Sequence, residues 1–295
     1  MTMSTDFITI TDDCIGCGNC ADVCPRYIFE VVEKKARTNE NLFRCHDCGH
    51  CVSVCPENAI NHQRLIVNTI DDDFPKKGKT MSYEQVLETI RQRRSIRYFS
   101  NKKVTKEQIQ QLINLGRYAP TGHNDRAVCY TIINDRKQLE NLLNSMISFF
   151  KKLKKQLKNP FWNLIAILVG KGGTVKRAKK SLYRLDSHIE HWEKGIDKVL
   201  HYSSTLILIH THKDTSAPKE DCNIAAQNIA LGAPTLGLGA TFIGYVQKSW
   251  ENSKEIKQIL NLPKEHVLYA CLAIGYPKNK YRRLVPRPKP SIKIR

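Results

Sequence analysis

The chain has 295 residues, 47 Lys and Arg against 28 Asp and Glu, a net charge of +19, and eleven cysteines. Its longest apolar run, "FWNLIAILVG" at 161–170, falls short of the roughly 20 residues that a membrane helix needs. The opening "MTMSTDFITITDD" has neither the basic nor the apolar region of a secretory signal, so a soluble, cytoplasmic protein with reduced thiols is expected, built from one small and one larger domain.

The first elements are two cysteine runs, "CIGCGNCADVCP" at 14–25 and "CHDCGHCVSVCP" at 45–56. Both read C-x2-C-x2-C-x3-C-P. Thiolates are soft ligands, which makes iron–sulfur clusters and zinc the candidates. Structural zinc takes C-x2-C with a second, distant pair. A disulfide framework needs an oxidising compartment. Three cysteines at steps of three instead let one tight loop reach three iron corners. The fourth is expected to start a helix that leads away, and so to ligate the other cluster. That assigns Cys14, Cys17, Cys20 and Cys55 to one 4Fe–4S cluster, and Cys45, Cys48, Cys51 and Cys24 to the other. Residues 1–70 accordingly resemble a bacterial two-cluster ferredoxin. Such a segment is too small for a large core, so its clusters are expected to help hold it folded.

Charge divides the chain. Residues 1–70 carry nine acids and six bases, net −3, which leaves +22 for the rest. An acidic electron-transfer module joined to a basic body favours their docking. Residues 141–185 hold eleven Lys or Arg and no acid. They suit a solvated face, an acidic protein donor or an anionic substrate. Nucleic acid is not expected, because no helix-turn-helix, zinc-finger or RRM signature accompanies the charge.

"DDDFPKKGKT" places a linker at 71–81, ahead of a domain over 82–295. Ser82-x-x-Gln85 and Thr105-x-x-Gln108 are capping boxes. They open a helix with Val86, Leu87 and Ile90 on one face, and a second with Ile109, Leu112 and Ile113 inward, stopped by Pro120. The stretch 141–200 reads as helical in parts, broken by Pro160, Gly170, Gly172 and Gly173, and suited to cover a site. His188 and His191 lie one turn apart and read as solvated. Strands are predicted at 128–134, 204–212, 240–246 and 267–275, with an Ala/Gly-rich helix between the second and third. Cys129, Cys222 and Cys271 read as buried structural thiols. The expected fold class is α+β: a small two-cluster domain, then a central mixed sheet flanked by helices.

Arg93, Ser95 and Arg97 alternate, so an extended segment aims all three one way, and two guanidiniums with a hydroxyl fit a phosphate dianion. "RRSIRYF", "APTGHND", "LGLGATFIGY" and "AIGYPKNKYRR" occur in an order that resembles the nitroreductase family of FMN enzymes. The resemblance implies a phosphate site of Arg93, Ser95, Arg97, Lys280 and Arg282. It implies flavin-ring contacts from Thr121, Gly122, His123 and Asn124, and close backbone approach at Ile243 and Gly244. Arg126 stands where many members have Gln and is left out. No Rossmann fingerprint is present, because Phe242 occupies its third glycine position.

The resulting expectation is an oxidoreductase that passes electrons from two 4Fe–4S clusters through FMN to a small organic acceptor. The alternative is a redox sensor or electron carrier without substrate turnover. No catalytic side chain is named, since the cofactor carries the chemistry. Expected partners are a small-molecule acceptor, an acidic protein electron donor and a second copy of the chain, with no membrane.

Overall fold

In the computed structural model of the chain, the structure describes residues 7–66, 78–168, 170, 172–180 and 182–295. Most of the predicted linker, 71–77, lies outside them. Two units emerge. One holds the described residues up to Thr80 together with His123–Asp125; the other holds Met81–Gly122 and Arg126–Arg295.

The first unit runs β1 (Ile8–Ile10), α1 (Asn19–Asp22), β2 (Phe29–Val32), β3 (Lys35–Thr38), α2 (His50–Val54), β4 (Ile60–His62) and α3 (Gln63–Ile66). β1 pairs antiparallel with β4, and β2 with β3. Phe7, Ile8, Ile28, Phe29, Val52 and Ile60 pack with the cysteines as its only core among the described residues. The two cysteine runs fold alike. Gly18 and Gly49 occupy the same place in each and cap α1 and α2 from the left-handed region, at φ 81° and 73°. A side chain there would be strained. The fourth cysteines correct the prediction, because they end the helices rather than start them. α1 carries Cys20 and stops before Cys24, while α2 carries Cys51 and is capped by Cys55. Each proline follows directly and cannot extend the helix.

The second unit contains α4 (Tyr83–Gln92), α5 (Lys106–Arg117), β5 (Cys129–Ile133), α6 (Arg136–Lys158), α7 (Pro160–Leu168), α8 (Gly172–Lys180) and α9 (Leu182–Glu193). It continues with β6 (Thr205–His212), α10 (Pro218–Gly232), β7 (Gly239–Phe242), α11 (Gly244–Asn252), α12 (Lys254–Leu260) and β8 (His266–Gly275). The sheet order is β5-β6-β8-β7. Its strand pairs are antiparallel, and an isolated parallel bridge joins Ser95 to Ala240 of β7. Leu206 and Leu208 face a core made with α6, α9, α11 and α12. Ile207 and Ile209 face the opposite core, made with α5 and α10. Burial on both faces is what the uninterrupted apolar run in β6 encodes.

Both capping boxes form. Ser82 and Thr105 each accept from the backbone of the glutamine three residues on, and each glutamine returns a bond. The apolar face of α4 departs from expectation: no residue of this helix is buried, and Val86 and Ile90 stay exposed. The strand predicted over 240–246 is shorter. Ile243 N donates to Cys271 O, and the chain then turns into α11 at Gly244. The basic stretch opens on the long helix α6, whose Lys151 pairs with Glu193 and Lys154 with Asp186. His188 is not solvated. Its ring packs on Phe150 and Tyr245, and burial lowers its pKa. Cys222 and Cys271 are buried as expected, but Cys129 is half-buried beside two histidines.

Candidate cofactor sites

Eight thiols fall into two cavities of the first unit. One is lined by Cys14, Cys17, Cys20 and Cys55. The other is lined by Cys24, Cys45, Cys48 and Cys51, with His46 and His62 on its wall. The short helices explain the exchange, because each carries the chain from its third cysteine at one cavity to its fourth at the other. Backbone amides converge on the sulfurs: Ala36 N donates to Cys14 Sγ at 3.4 Å, Ala59 N to Cys55 Sγ at 3.2 Å, and Asp47 N to Cys45 Sγ at 3.4 Å. Such bonds stabilise negative charge on sulfur and tune cluster potential. Burial alone drives the thiols the other way, raising Cys20 and Cys45 and pushing Cys51 up to about 12. Four thiols crowded into one small cavity, some of them pushed toward the neutral form by burial, are held together as thiolates by a metal centre. The donor set therefore fits iron–sulfur clusters.

Residues around the second cavity escaped the sequence reading. His62 is 1% exposed, with Nε2 3.6 Å from Cys45 Sγ and 3.5 Å from Asp47 Oδ1. Both ring nitrogens of His46 are buried without a protein partner. Within this unit Asn124 Nδ2 donates to the carbonyls of His46 at 2.8 Å and Asp47 at 2.9 Å.

In the second unit, residues 93–99 form an extended segment. Ile96 N donates to Ala240 O, and Ile96 and Phe99 are buried. The chain after β8 returns alongside it. Lys278 N donates to Tyr98 O, and Arg94 Nη2 donates to Arg283 O at 2.7 Å. Lys280 and Arg282 lie between those two anchors. Among the described residues, Arg93, Arg97, Lys280 and Arg282 form no ion pair with a carboxylate. Uncompensated cations on two adjacent backbones fit a bound phosphate. The anchoring depends on Gly239, where an added Cβ would sit 2.4 Å from Ile96 Cγ1.

Thr121 Oγ1 accepts from Arg126 N, and Gly122 N donates to Asp221 Oδ1 at 3.0 Å. His123, Asn124 and Arg126 all have positive φ, between 50° and 60°. Left-handed backbone at three non-glycine residues is held strain. Asp221, 2% exposed, anchors this turn from the first turn of α10. An acid in an Ala-rich helix was the available signal, but its partner lies 99 residues away. Ile243 is buried, while a Cβ on exposed Gly244 would meet nothing within 4 Å. That leaves open space above the backbone there.

Two thiol cages in one unit and a basic segment of paired backbones in the other define an electron-transfer module joined to an α+β domain. The profile of a 4Fe–4S dicluster domain matches residues 7–56. The nitroreductase family profile matches residues 90–276, and the chain belongs to that family. It is 23% identical over 197 residues to an Archaeoglobus fulgidus protein provisionally named NADH dehydrogenase/NAD(P)H nitroreductase, covering 67% of this chain and 88% of the relative. It is 23% identical over 210 residues to a Bacillus subtilis FMN reductase, covering 70% of this chain and 72% of the relative. A Bacteroides fragilis nitroreductase structure with bound FMN superposes with TM-score 0.53 at 21% identity, covering 71% of this chain and 98% of the other. The fold is shared.

Proposed function

We propose that this chain is an FMN-dependent oxidoreductase that passes electrons from two 4Fe–4S clusters through FMN to a small organic acceptor, a nitroaromatic, quinone or activated alkene. The carrying observation is the division of eight cysteines between two cages in a chain whose remainder is a nitroreductase-family unit. Arg93, Ser95, Arg97, Lys280 and Arg282 bind the phosphate. Thr121, Gly122, His123 and Asn124 border the ring with their backbone, and Ile243 and Gly244 let the main chain approach it. Bound FMN supplies the junction chemistry, taking electrons singly and releasing a pair. The sheet and its two cores hold these groups in place and limit water, and a second copy of the chain completes the site.

Anaerobically purified protein should contain iron and sulfide for two cubanes and one flavin per chain. After dithionite reduction it should be reoxidised by at least one acceptor class. Failure with all three classes at full cofactor content would leave a carrier or sensor. R93A and R97A should each weaken FMN binding by roughly 10- to 100-fold, the worth of a charged hydrogen bond, with iron unchanged. Undiminished flavin affinity in both would mean the phosphate lies elsewhere.

A further inference from the structure

One end of the central sheet carries a donor set that neither the thiol cages nor the phosphate cradle uses. Cys129 opens β5, His210 lies near the end of β6 and His266 opens β8, on three strands that are neighbours in the sheet. Cys129 and His210 are register partners. A bulge between Ile209 and His210 breaks the β6–β8 register at this point, and bulges re-aim side chains. One donor atom from each of the three residues lies within 4.8 Å of the other two.

The chemistry of this group is selective. It offers one sulfur and two imidazole nitrogens and no oxygen ligand, which suits a borderline-soft cation of the zinc class rather than magnesium or calcium. Nδ1 of His210 and Nδ1 of His266 stand 2.8 Å apart. On the far side of the ring, Nε2 of His210 is 2.9 Å from Thr131 Oγ1. A proton on Nε2 donated to that hydroxyl leaves Nδ1 with its lone pair, the outer hydrogen bond that orients metal-bound histidines. His210 is 2% exposed, whereas Cys129 and His266 are half-buried. The group is thus fixed at its back and open at its front. Tetrahedral zinc, with bonds of about 2.3 Å to sulfur and about 2.0 Å to nitrogen, sets neighbouring ligand atoms roughly 3.3–3.6 Å apart. Small side-chain rotations reach that spacing.

We propose that Cys129, His210 and His266 form a binding site for one zinc-class divalent cation, with water in the fourth position. Binding releases the Cys129 thiol proton to solvent and moves the His266 proton to Nε2. The cation then ties together three adjacent strands. It also steadies the chain that enters β5 at Ala127, whose carbonyl already accepts from Thr211 Oγ1 at 2.8 Å.

The test uses the full chain with its clusters intact, so that the cage thiols are occupied. Holoprotein of known iron content is equilibrated with buffered Zn2+, then dialysed free of loose metal. One zinc per chain beyond the iron is expected, with zinc-edge absorption fine structure showing one sulfur and two imidazole nitrogens. C129S and H210Q should lose that zinc at unchanged iron. If H210Q misfolds, H266Q at the half-buried rim gives the same readout. No zinc above background, or zinc retained by C129S and H266Q, would overturn the site. A four-sulfur shell would do so too, by placing the zinc in a cluster cage.

Discussion

Cys24 and Cys55 carry the exchange of ligands between the two cages. Cys55 lies in the second run but lines the cavity of the first, and Cys24 does the converse. Loss of Cys55 should therefore damage the cluster held by Cys14, Cys17 and Cys20. C55S is expected to lower iron from about eight to about four per chain. Adding C20S to it should cost little more, because both act on one cluster, whereas adding C51S should remove the remainder. Iron and sulfide counts with EPR of the reduced protein would check this non-additivity. Removal of the remainder by C20S, with little further loss from C51S, would reverse the assignment. A second residue-scale effect is acid lability. Burial lowers the pKa of His201 to about 4, Arg97, His188 and Lys198 add to the effect, and Asp197 opposes it. Its Nδ1 is buried without a partner, so the folded chain keeps the ring neutral. The unfolded chain binds the extra proton below about 6.5. The sign follows: the contribution is complete above pH 6.5 and is lost as pH falls toward 4, by at most about 3 kcal/mol once the ring's partial exposure to solvent is allowed for. Urea midpoints of the anaerobic holoprotein between pH 4.5 and 7 should show the slope, and H201Q should flatten it. An equal slope in H201Q would assign the acid lability to other groups.

At the scale of elements, the phosphate cradle depends on how closely residues 93–99 approach the sheet. An added Cβ at Gly239 meets Ile96 at 2.4 Å, and Ile96 N is bonded to Ala240 O next door. G239A should push the arginine segment outward and cost about 1–3 kcal/mol, the usual cost of overpacking. FMN affinity should fall although no cationic side chain has changed. Wild-type affinity at reduced stability would separate the packing from the cradle. Sequence gave access to whatever is local. The capping boxes are three-residue patterns, and both form as read. The β6 run is apolar at consecutive positions because both faces are covered. The reading failed where a partner far along the chain decides. Periodicity placed Val86 and Ile90 on one face of α4, but nothing in the helix says what covers that face. His188 looked solvated beside His191 until Phe150 and Tyr245 arrived from other helices. Cys129 reads as buried from its apolar neighbours but is half-buried beside His210 and His266, which lie on other strands. Asp221 holds Gly122 from 99 residues away, a distance at which no spacing rule operates.

For the whole molecule, α4 is the element that a lone chain leaves unexplained. It has ten residues, and none is buried. Tyr83 is 73% exposed, Val86 43% and Ile90 51%. A helix this short is marginal in water on propensity alone, and its capping box adds only about 1 kcal/mol. Under the proposed shared site, a second copy of the chain would cover its apolar stripe and supply the remaining stabilisation. The double variant V86E/I90E should then shift the sedimenting species from dimer to monomer and release FMN, because each site would lose the other copy's contribution. Iron should be unaffected, since α4 lies outside the cage-bearing unit. A dimer that persists with full flavin would show that α4 lies off the interface. A monomer that keeps its flavin would show instead that each chain binds FMN alone, so the two readouts together separate the assembly from the site.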